Sequence, residues 1–332
     1  MAVSTLPIVI LAGSDRRAPD LPDGERDRHP LSGYKAVDVR IGQRSLLESV
    51  IDRLEVSGRF NPVYVVGPRS VLGPMGPRCA LIDSDGTFGE NIRKSFDAMR
   101  AEHGRAPFAF ITCDILPEVD TLTVLMDDYA AHAPCDLWFP LIHAPEDRGS
   151  LGASAWKPRY HIVPREGQAA VGILPGHLVV VDPAALRLKF VYRLMQLGYR
   201  TRNRPINYRR SVMVRGVVLE LLYQDLLHLL TLRAPTLTWS VLRVGISAAH
   251  ELREGRITRN RLEDTLRRIF VASRHRRRHP ERRVRMPIVE GLSLALDIDT
   301  EEEARAAGGE VADRLARERD AALGRMDDVQ SG

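Results

Sequence analysis

The sequence predicts an α/β fold in which a mostly parallel sheet is flanked by helices, with a helical insertion ahead of the last strand. Two observations carry that expectation. Over roughly the first 140 residues, short apolar runs alternate with segments of helical period, the pattern of successive βαβ units. Between residues 200 and 285 the chain turns helical and basic, with "YRTRNRPINYRR" at one end and "SRHRRRHPERRVR" at the other. The size agrees: 332 residues, 44% hydrophobic and 27% charged, can bury a substantial core as one large domain or one domain with an elaboration.

The elements follow in order. Residues 7–12 read as a strand, and the polar stretch after it, "GSDRRAPDLPDGERDRHPLSGYK", is a loop of about 20 residues, a length that usually carries function. It leaves a strand end, where open α/β sheets bind ligands. Leu46, Leu47, Val50, Ile51 and Leu54 form one helical stripe that ends at Gly58, a C-cap residue. "NPVYVVG" is the second strand and "CALID" the third, with a helix from about Glu90 to Gly104 behind it. "FAFITCD" is the fourth strand, "VDTLTVLMDDYAAHA" a helix and "DLWFPLI" a further strand.

Beyond them a long helical region is expected from about Arg215 to Ser273. Within it Glu220, Gln224, His228 and Thr231 make one narrow polar stripe on an otherwise apolar helix, which calls for cover over most of its circumference, by internal packing in the first place and by an apolar ligand as the alternative. The tail "GLSLALDIDTEEEARAA" reads as a last strand with Asp297 and Asp299 at its exit. A helix follows, with Thr300 as N-cap and Glu303 three residues on.

Charge and cysteines narrow the function classes. A net charge of +5, carried mainly by arginine, suits nucleic acid, an anionic lipid surface or a small phosphorylated substrate. The basic runs lack aromatic interleaving and any reader motif, which sets nucleic acid aside. Cys79, Cys113 and Cys135 have no metal-ligand spacing and are odd in number, which argues for a reducing compartment. The N-terminal apolar stretch has no basic segment before it and no long uncharged apolar run follows, so the expected location is the cytoplasm.

Four features fall where sheet ligands are expected. Gly13 and Ser14 follow the first strand, Lys35 closes the long loop, Asp114 ends the fourth strand and Asp299 ends the last. Two carboxylates with positions left for phosphate oxygens and water are the usual magnesium arrangement. Backbone N–H groups of a glycine-containing loop can cradle phosphate, and lysine or arginine compensates the charge that moves. Each residue also has a plain reading: a surface lysine, a strand-end turn residue, an acid at a helix N-terminus. GxxxxGK[ST] and GxGxxG are both absent, which removes the P-loop and dinucleotide-binding readings.

On these stretches the chain resembles the MobA-like NTP transferases, the molybdenum-cofactor guanylyltransferase and sugar-phosphate nucleotidyltransferase type. "VILAGSDRR" resembles that family's LAGGxGxRM strand and loop, and "YKAVDVRIGQRSLLESVIDRL" its lysine-bearing KxLxxxxGxxxL stretch. "FITCDILPEVD" is similar to its strand followed by CDxP, and "LALDIDTEEEARAA" to its C-terminal D[IV]DTPEDL. The resemblance covers residues 7–182 and 288–308. It implies a Rossmann-like, GT-A-like fold and nucleotide contacts from Leu11, Ala12, Gly13, Ser14, Lys35, Gly89 and Asn91. Arg16 or Arg17 would clamp phosphate. It makes Asp114 the first Mg2+ ligand and Asp299 the second, with Asp297 as runner-up, and it places Lys157, Arg159 and Arg165 as anion contacts on the acceptor side. Ser14 stands where the family has its second glycine, and Tyr34 where it has the proline before the lysine.

The organisation that follows is a nucleotidyltransferase core at 1–199, a basic helical insertion at 200–285, a strand and helix completing the core at 286–320, and a flexible tail at 321–332. The expected activity is Mg2+-dependent transfer of a nucleoside monophosphate, from CTP or GTP by preference, to a phosphorylated or phosphonate small molecule, with pyrophosphate released. The alternatives are a GT-A-type glycosyltransferase consuming a sugar nucleotide, and a silent scaffold that binds a partner through the insertion. Peripheral membrane or lipid contact through the insertion and a dimeric assembly stay open. His161, His177 and His228 are scattered along the sequence and receive no role.

Overall fold

The computed structural model describes residues 5–13, 33–73, 78–147, 149, 151, 159–201, 206–230, 237–298, 303–307 and 309. Strand β1 (Leu6–Leu11) leads to a short helix α1 (Lys35–Asp38), a two-stranded hairpin of β2 (Arg40–Ile41) and β3 (Arg44–Ser45), and helix α2 (Leu46–Ser57). Next come β4 (Phe60–Gly67), α3 (Arg69–Leu72), β5 (Ala80–Asp83), α4 (Phe88–His103), β6 (Phe108–Thr112) and α5 (Val119–His132). The chain then runs through β7 (Leu137–Trp138), β8 (Leu141–His143), β9 (Tyr160–Ile162), β10 (Val171–Pro175) and β11 (Leu178–Val181).

Among the described residues the main sheet has seven strands in the order β12-β7-β11-β6-β1-β4-β5, where β12 is Val284–Arg285. Strands β6, β1, β4 and β5 are parallel neighbours, and β12 is parallel to β7. Strand β11 alone runs against both its neighbours, β6 and β7. The α/β architecture expected from the alternating pattern is the one seen: a Rossmann-like, largely parallel sheet flanked by helices, with an extra helical region.

Burial on both faces explains why the central strands are apolar throughout. Ile8 and Ile10 of β1 and Ala109 and Ile111 of β6 face one core with Leu47, Val50, Ile51 and Leu54 of α2 and Leu122, Leu125 and Met126 of α5. Val9, Phe108 and Phe110 face the other, with Ile92, Phe96 and Met99 of α4. Helices α2 and α4 each start on a capping box, Ser45 with Glu48 and Thr87 with Glu90. The T-x-x-E signature puts the start of α4 at Phe88, two residues ahead of the sequence expectation.

A smaller sheet, β13-β8-β10-β9 with β13 at Ile288–Val289, lies beside the main one. The helical region consists of α6 (Leu188–Arg200), α7 (Ile206–Leu230), α8 (Leu237–Arg253), α9 (Arg259–Phe270) and α10 (Ser273–Arg278). A buried ionic knot ties it to the sheet. Asp136, fully buried beside β7, accepts a hydrogen bond from Arg267 Nε at 2.7 Å and has His275 Nε2 at 3.1 Å. Asp182, after β11, pairs with Arg282. Strand β12 belongs to the main sheet although it falls within the 200–285 span.

Two expectations are corrected here. The tail does not form a last strand: residues Leu292–Leu294 make a 3-10 turn behind Gly291, whose φ of +126° ends strand β13. The alternating leucines suggested period two, but Leu292, Leu294, Ala295 and Leu296 all pack into one core, as a tight turn allows and a strand does not. Helix α7 is not internally covered either. Leu221 is buried, yet Leu219, Leu222, Tyr223, Leu226, Leu229 and Leu230 are all at least half exposed. Three of them, Leu222, Leu226 and Leu229, border a groove of about 460 Å³ together with Trp239 and Leu242 of α8. Of the polar stripe, the side chains of Gln224 and His228 and all of Thr231 lie outside the described residues.

Candidate active site

The carboxyl ends of β1, β4 and β6 form one edge of the sheet. Hydrogen bonds from Ala12 N–H to the Val66 carbonyl (3.0 Å) and from Cys113 N–H to the Leu11 carbonyl (3.2 Å) carry the ladder to that edge. Leu11 is the last residue of β1, Ala12 is fully buried, and Gly13 is exposed just beyond it. A Cβ on Gly13 would lie 2.5 Å from Asn91 Nδ2. Asn91 is buried in the first turns of α4, and its Oδ1 accepts from Ser84 Oγ at 2.6 Å. Gly13 and the α4 amide are thus in contact, and a side chain at position 13 would have to displace that amide. Gly89 is placed elsewhere: its Cβ position meets Gln196 and the Tyr192 carbonyl at 3.0 and 3.2 Å, in the packing of α4 on α6.

Lys35 opens α1 close enough to Cys113 to act on its thiol. Burial foremost, then the Asp114 carboxylate, push that thiol well above its ordinary range, while the Lys35 ammonium works the other way. A thiol so held stays protonated and is no nucleophile.

Asp114 follows β6 by two residues, and the tail returns beside it: Ile298 N–H donates to the Asp114 carbonyl at 2.6 Å. Together with the bond from His177 N–H to the Leu294 carbonyl (2.9 Å), it brings Asp297 to the edge. Between the two acids stands His177, with Nε2 3.1 Å from Asp297 Oδ1 and Nδ1 3.9 Å from Asp114 Oδ1. Thr112 Oγ1 lies 2.9 Å from His177 Nδ1. One potential ligand atom from each of Asp114, His177 and Asp297 lies within 4.8 Å of the others, and all three side chains are partly exposed. Two carboxylates and an imidazole converging on a partly open point are a donor set that fits a divalent cation.

Sequence reasoning missed His177, which belongs to the site rather than to a scatter of unrelated histidines. The reason is strand direction. Because β11 runs antiparallel to β6, with Leu178 opposite Ile111, its first residues lie at the edge where β6 ends. The signal available was "GH" immediately before the apolar run "LVVV". Tyr199 was also missed. Burial first, then the neighbouring Asp114 and Cys113, push its phenol up to about 12, and its ring stacks on Phe88 with centroids 4.8 Å apart. Helix α6 therefore brings an aromatic side chain to the acidic edge.

The remaining expected residues are dispersed. Arg159 Nη1 donates to the Glu146 carbonyl at 3.2 Å, and Arg165 is exposed on the turn between β9 and β10, in the smaller sheet. Ser14, Arg16, Arg17, Lys157 and Asp299 lie outside the described residues.

No family model matches the chain, and no curated protein does. Among solved structures it is similar to CMP:2-keto-3-deoxy-manno-octonic acid synthetase complexed with CTP, at 10% identity over 65% of this chain and 86% of that one, with a TM-score of 0.40. It is also similar to HddC from Yersinia pseudotuberculosis complexed with GMP-PN, at 14% identity over 57% and 79%, with a TM-score of 0.38. A third is 4-diphosphocytidyl-2C-methyl-D-erythritol synthase from Anaerococcus prevotii, at 8% identity over 92% and 99%, with a TM-score of 0.41. At these identities and scores the likenesses establish neither family nor activity.

Proposed function

We propose that this chain is a metal-dependent nucleotidyltransferase that moves a nucleoside monophosphate from an NTP, CTP or GTP by preference, to a small phosphorylated or phosphonate acceptor. The observation that carries the reading is convergence: the glycine after β1, Lys35, Asp114 and Asp297 gather at the carboxyl edge of one largely parallel sheet. Those residues lie on the stretches that resemble NTP transferases in sequence.

An acceptor oxygen attacks the α-phosphorus, the bond to the β-phosphate oxygen breaks, and pyrophosphate leaves. A phosphate or phosphonate acceptor is already ionised near neutral pH, so no protein base is needed. The protein supplies position and charge. Backbone N–H groups at Gly13 would face the phosphates, Asn91 would buttress that turn by its contact with Gly13, and the Lys35 ammonium would offset the charge on the leaving group. Asp114 and Asp297 would hold the cation, Mg2+ in the first instance, which polarises phosphate oxygens when bound. Asp299, outside the described residues, remains a further carboxylate on the same segment.

The test is a thermal-shift and pyrophosphate-release screen of the intact chain against ATP, CTP, GTP and UTP, with and without Mg2+, repeated for Asp114→Ala. A metal-dependent shift selective for one base and absent in the variant supports the proposal. Release of a nucleoside diphosphate from a sugar nucleotide would replace it with glycosyl transfer. Binding to no nucleotide, together with turnover of neither class, would leave the scaffold reading.

A further inference from the structure

We infer that His177 is a third protein ligand of this metal site, and that it shifts the preference of the site from Mg2+ toward first-row transition ions, Mn2+ foremost. The inference rests on the metal reading above and deepens it. Neighbouring ligands of a six-coordinate ion with bonds of about 2.1–2.2 Å lie roughly 3 Å apart. His177 Nε2 and Asp297 Oδ1 are already 3.1 Å apart, Asp114 Oδ1 lies 3.9 Å from Nδ1 of the same ring, and one ligand atom from each of the three residues falls within 4.8 Å of the others. Metal-ligating imidazoles generally hold their second nitrogen on an outer partner, which fixes the tautomer and aims the free lone pair. Thr112 Oγ1, 2.9 Å from Nδ1, is in place to do so, leaving Nε2 turned toward the carboxylate.

The chemistry of the donors then sets the ion. Magnesium takes oxygen ligands and keeps its waters, so an imidazole adds little to its binding. Imidazole suits first-row transition ions, and among these Mn2+ is also at home with carboxylate, water and phosphate oxygens. Two aspartates, one histidine and open positions for phosphate therefore favour Mn2+ over Mg2+. The position of His177 follows from the antiparallel course of β11, since a parallel strand would have begun at the opposite edge of the sheet.

The experiment uses the intact chain and Mn2+ alone. Binding is followed by the loss of the free-ion electron paramagnetic resonance signal, with Mg2+ as competitor, and bound Mn2+ is examined by pulsed methods for coupling to nitrogen. The wild type is expected to bind Mn2+ with an imidazole nitrogen coupling and to need at least about tenfold more Mg2+ for displacement. His177→Gln, which keeps a hydrogen-bonding side chain, should lose the coupling and bring the two ions within a few fold of each other. His177→Ala serves as a second variant should the first fold poorly, and the wild-type coupling is informative without either. Mn2+ binding that is lost in Asp114→Asn but shows no nitrogen coupling in the wild type, or keeps the coupling in His177→Gln, overturns the role of His177 and leaves the two-carboxylate reading standing. Absence of Mn2+ binding, or binding unaffected by Asp114→Asn, overturns both.

Discussion

Gly13 shows how a single missing atom arranges the carboxyl edge of the sheet. The Asn91 amide fills the space a Cβ would take, and Ser84 holds that amide from its other side. Gly13→Ala is expected to displace the Asn91 amide and weaken its bond to Ser84, at a cost of about 1 kcal/mol in stability. Its larger effect should be on the phosphate-facing turn: affinity for the selected NTP is expected to fall about tenfold, which is about 1.4 kcal/mol, measured by calorimetric titration. The residues legible in the sequence were those whose place depends only on a strand ending: Gly13 after β1 and Asp114 after β6. Asp297 was visible as one of two acids on the tail, but it takes the Ile298–Asp114 bond and the His177 contact to show that this acid is brought to the edge. His177 was illegible because its position depends on which way β11 runs, and a four-residue apolar strand reads the same in either direction.

At the level of elements, the capping boxes make the most direct predictions. Ser45 Oγ accepts from Glu48 N–H, and the Glu48 carboxylate accepts from both N–H and Oγ–H of Ser45. Ser45→Ala should cost about 1 kcal/mol, read as a lower midpoint in urea denaturation. The same bonds make α2 and α4 pH-sensitive. Hydrogen bonds from Ser45 and Thr87, backbone first and then side chain, hold the Glu48 and Glu90 carboxyls below their ordinary 4.5. A carboxyl depressed in the folded state stabilises above its unfolded pKa, and the contribution is lost as pH falls through the folded value. Stability should therefore decline below about pH 4.5, and less steeply in a Glu48→Gln, Glu90→Gln double variant. Glu90 is exposed and Glu48 is only partly buried, so the difference between the two curves is small. The Ser-x-x-Glu and Thr-x-x-Glu spacings are plain in the sequence, whereas the tail misled because alternating leucines serve a strand and a 3-10 turn equally.

Across the whole molecule the sheet and the helical region are joined by the ionic knot around Asp136 rather than by apolar packing alone. Asp136→Ala would leave Arg267, itself mostly buried, without its carboxylate partner. A loss of about 3–5 kcal/mol is expected from breaking such a buried pair, seen as a lower urea midpoint and an earlier thermal transition. The layered architecture was legible because its alternation is local in sequence. The knot was not, since its members come from positions 136, 267 and 275 and nothing in each stretch names the others. The exposed leucines of α7 were misjudged for a related reason: a helix that is apolar on most sides calls for a cover, but the sequence does not say whether this chain provides it.

The bond from Ile298 to Asp114 closes a loop of roughly 180 residues, within which the helical region lies. The entropy of closing a loop grows only with the logarithm of its length, about 0.6 kcal/mol for each doubling. Lengthening or trimming the connection between the two acids is therefore almost free in closure terms, provided the packing of the helices on α4 and the knot at Asp136 is kept. The two halves of the proposed metal site can stay matched while what lies between them changes in size, and the segment between β11 and β12 is where this fold can accept new sequence most cheaply.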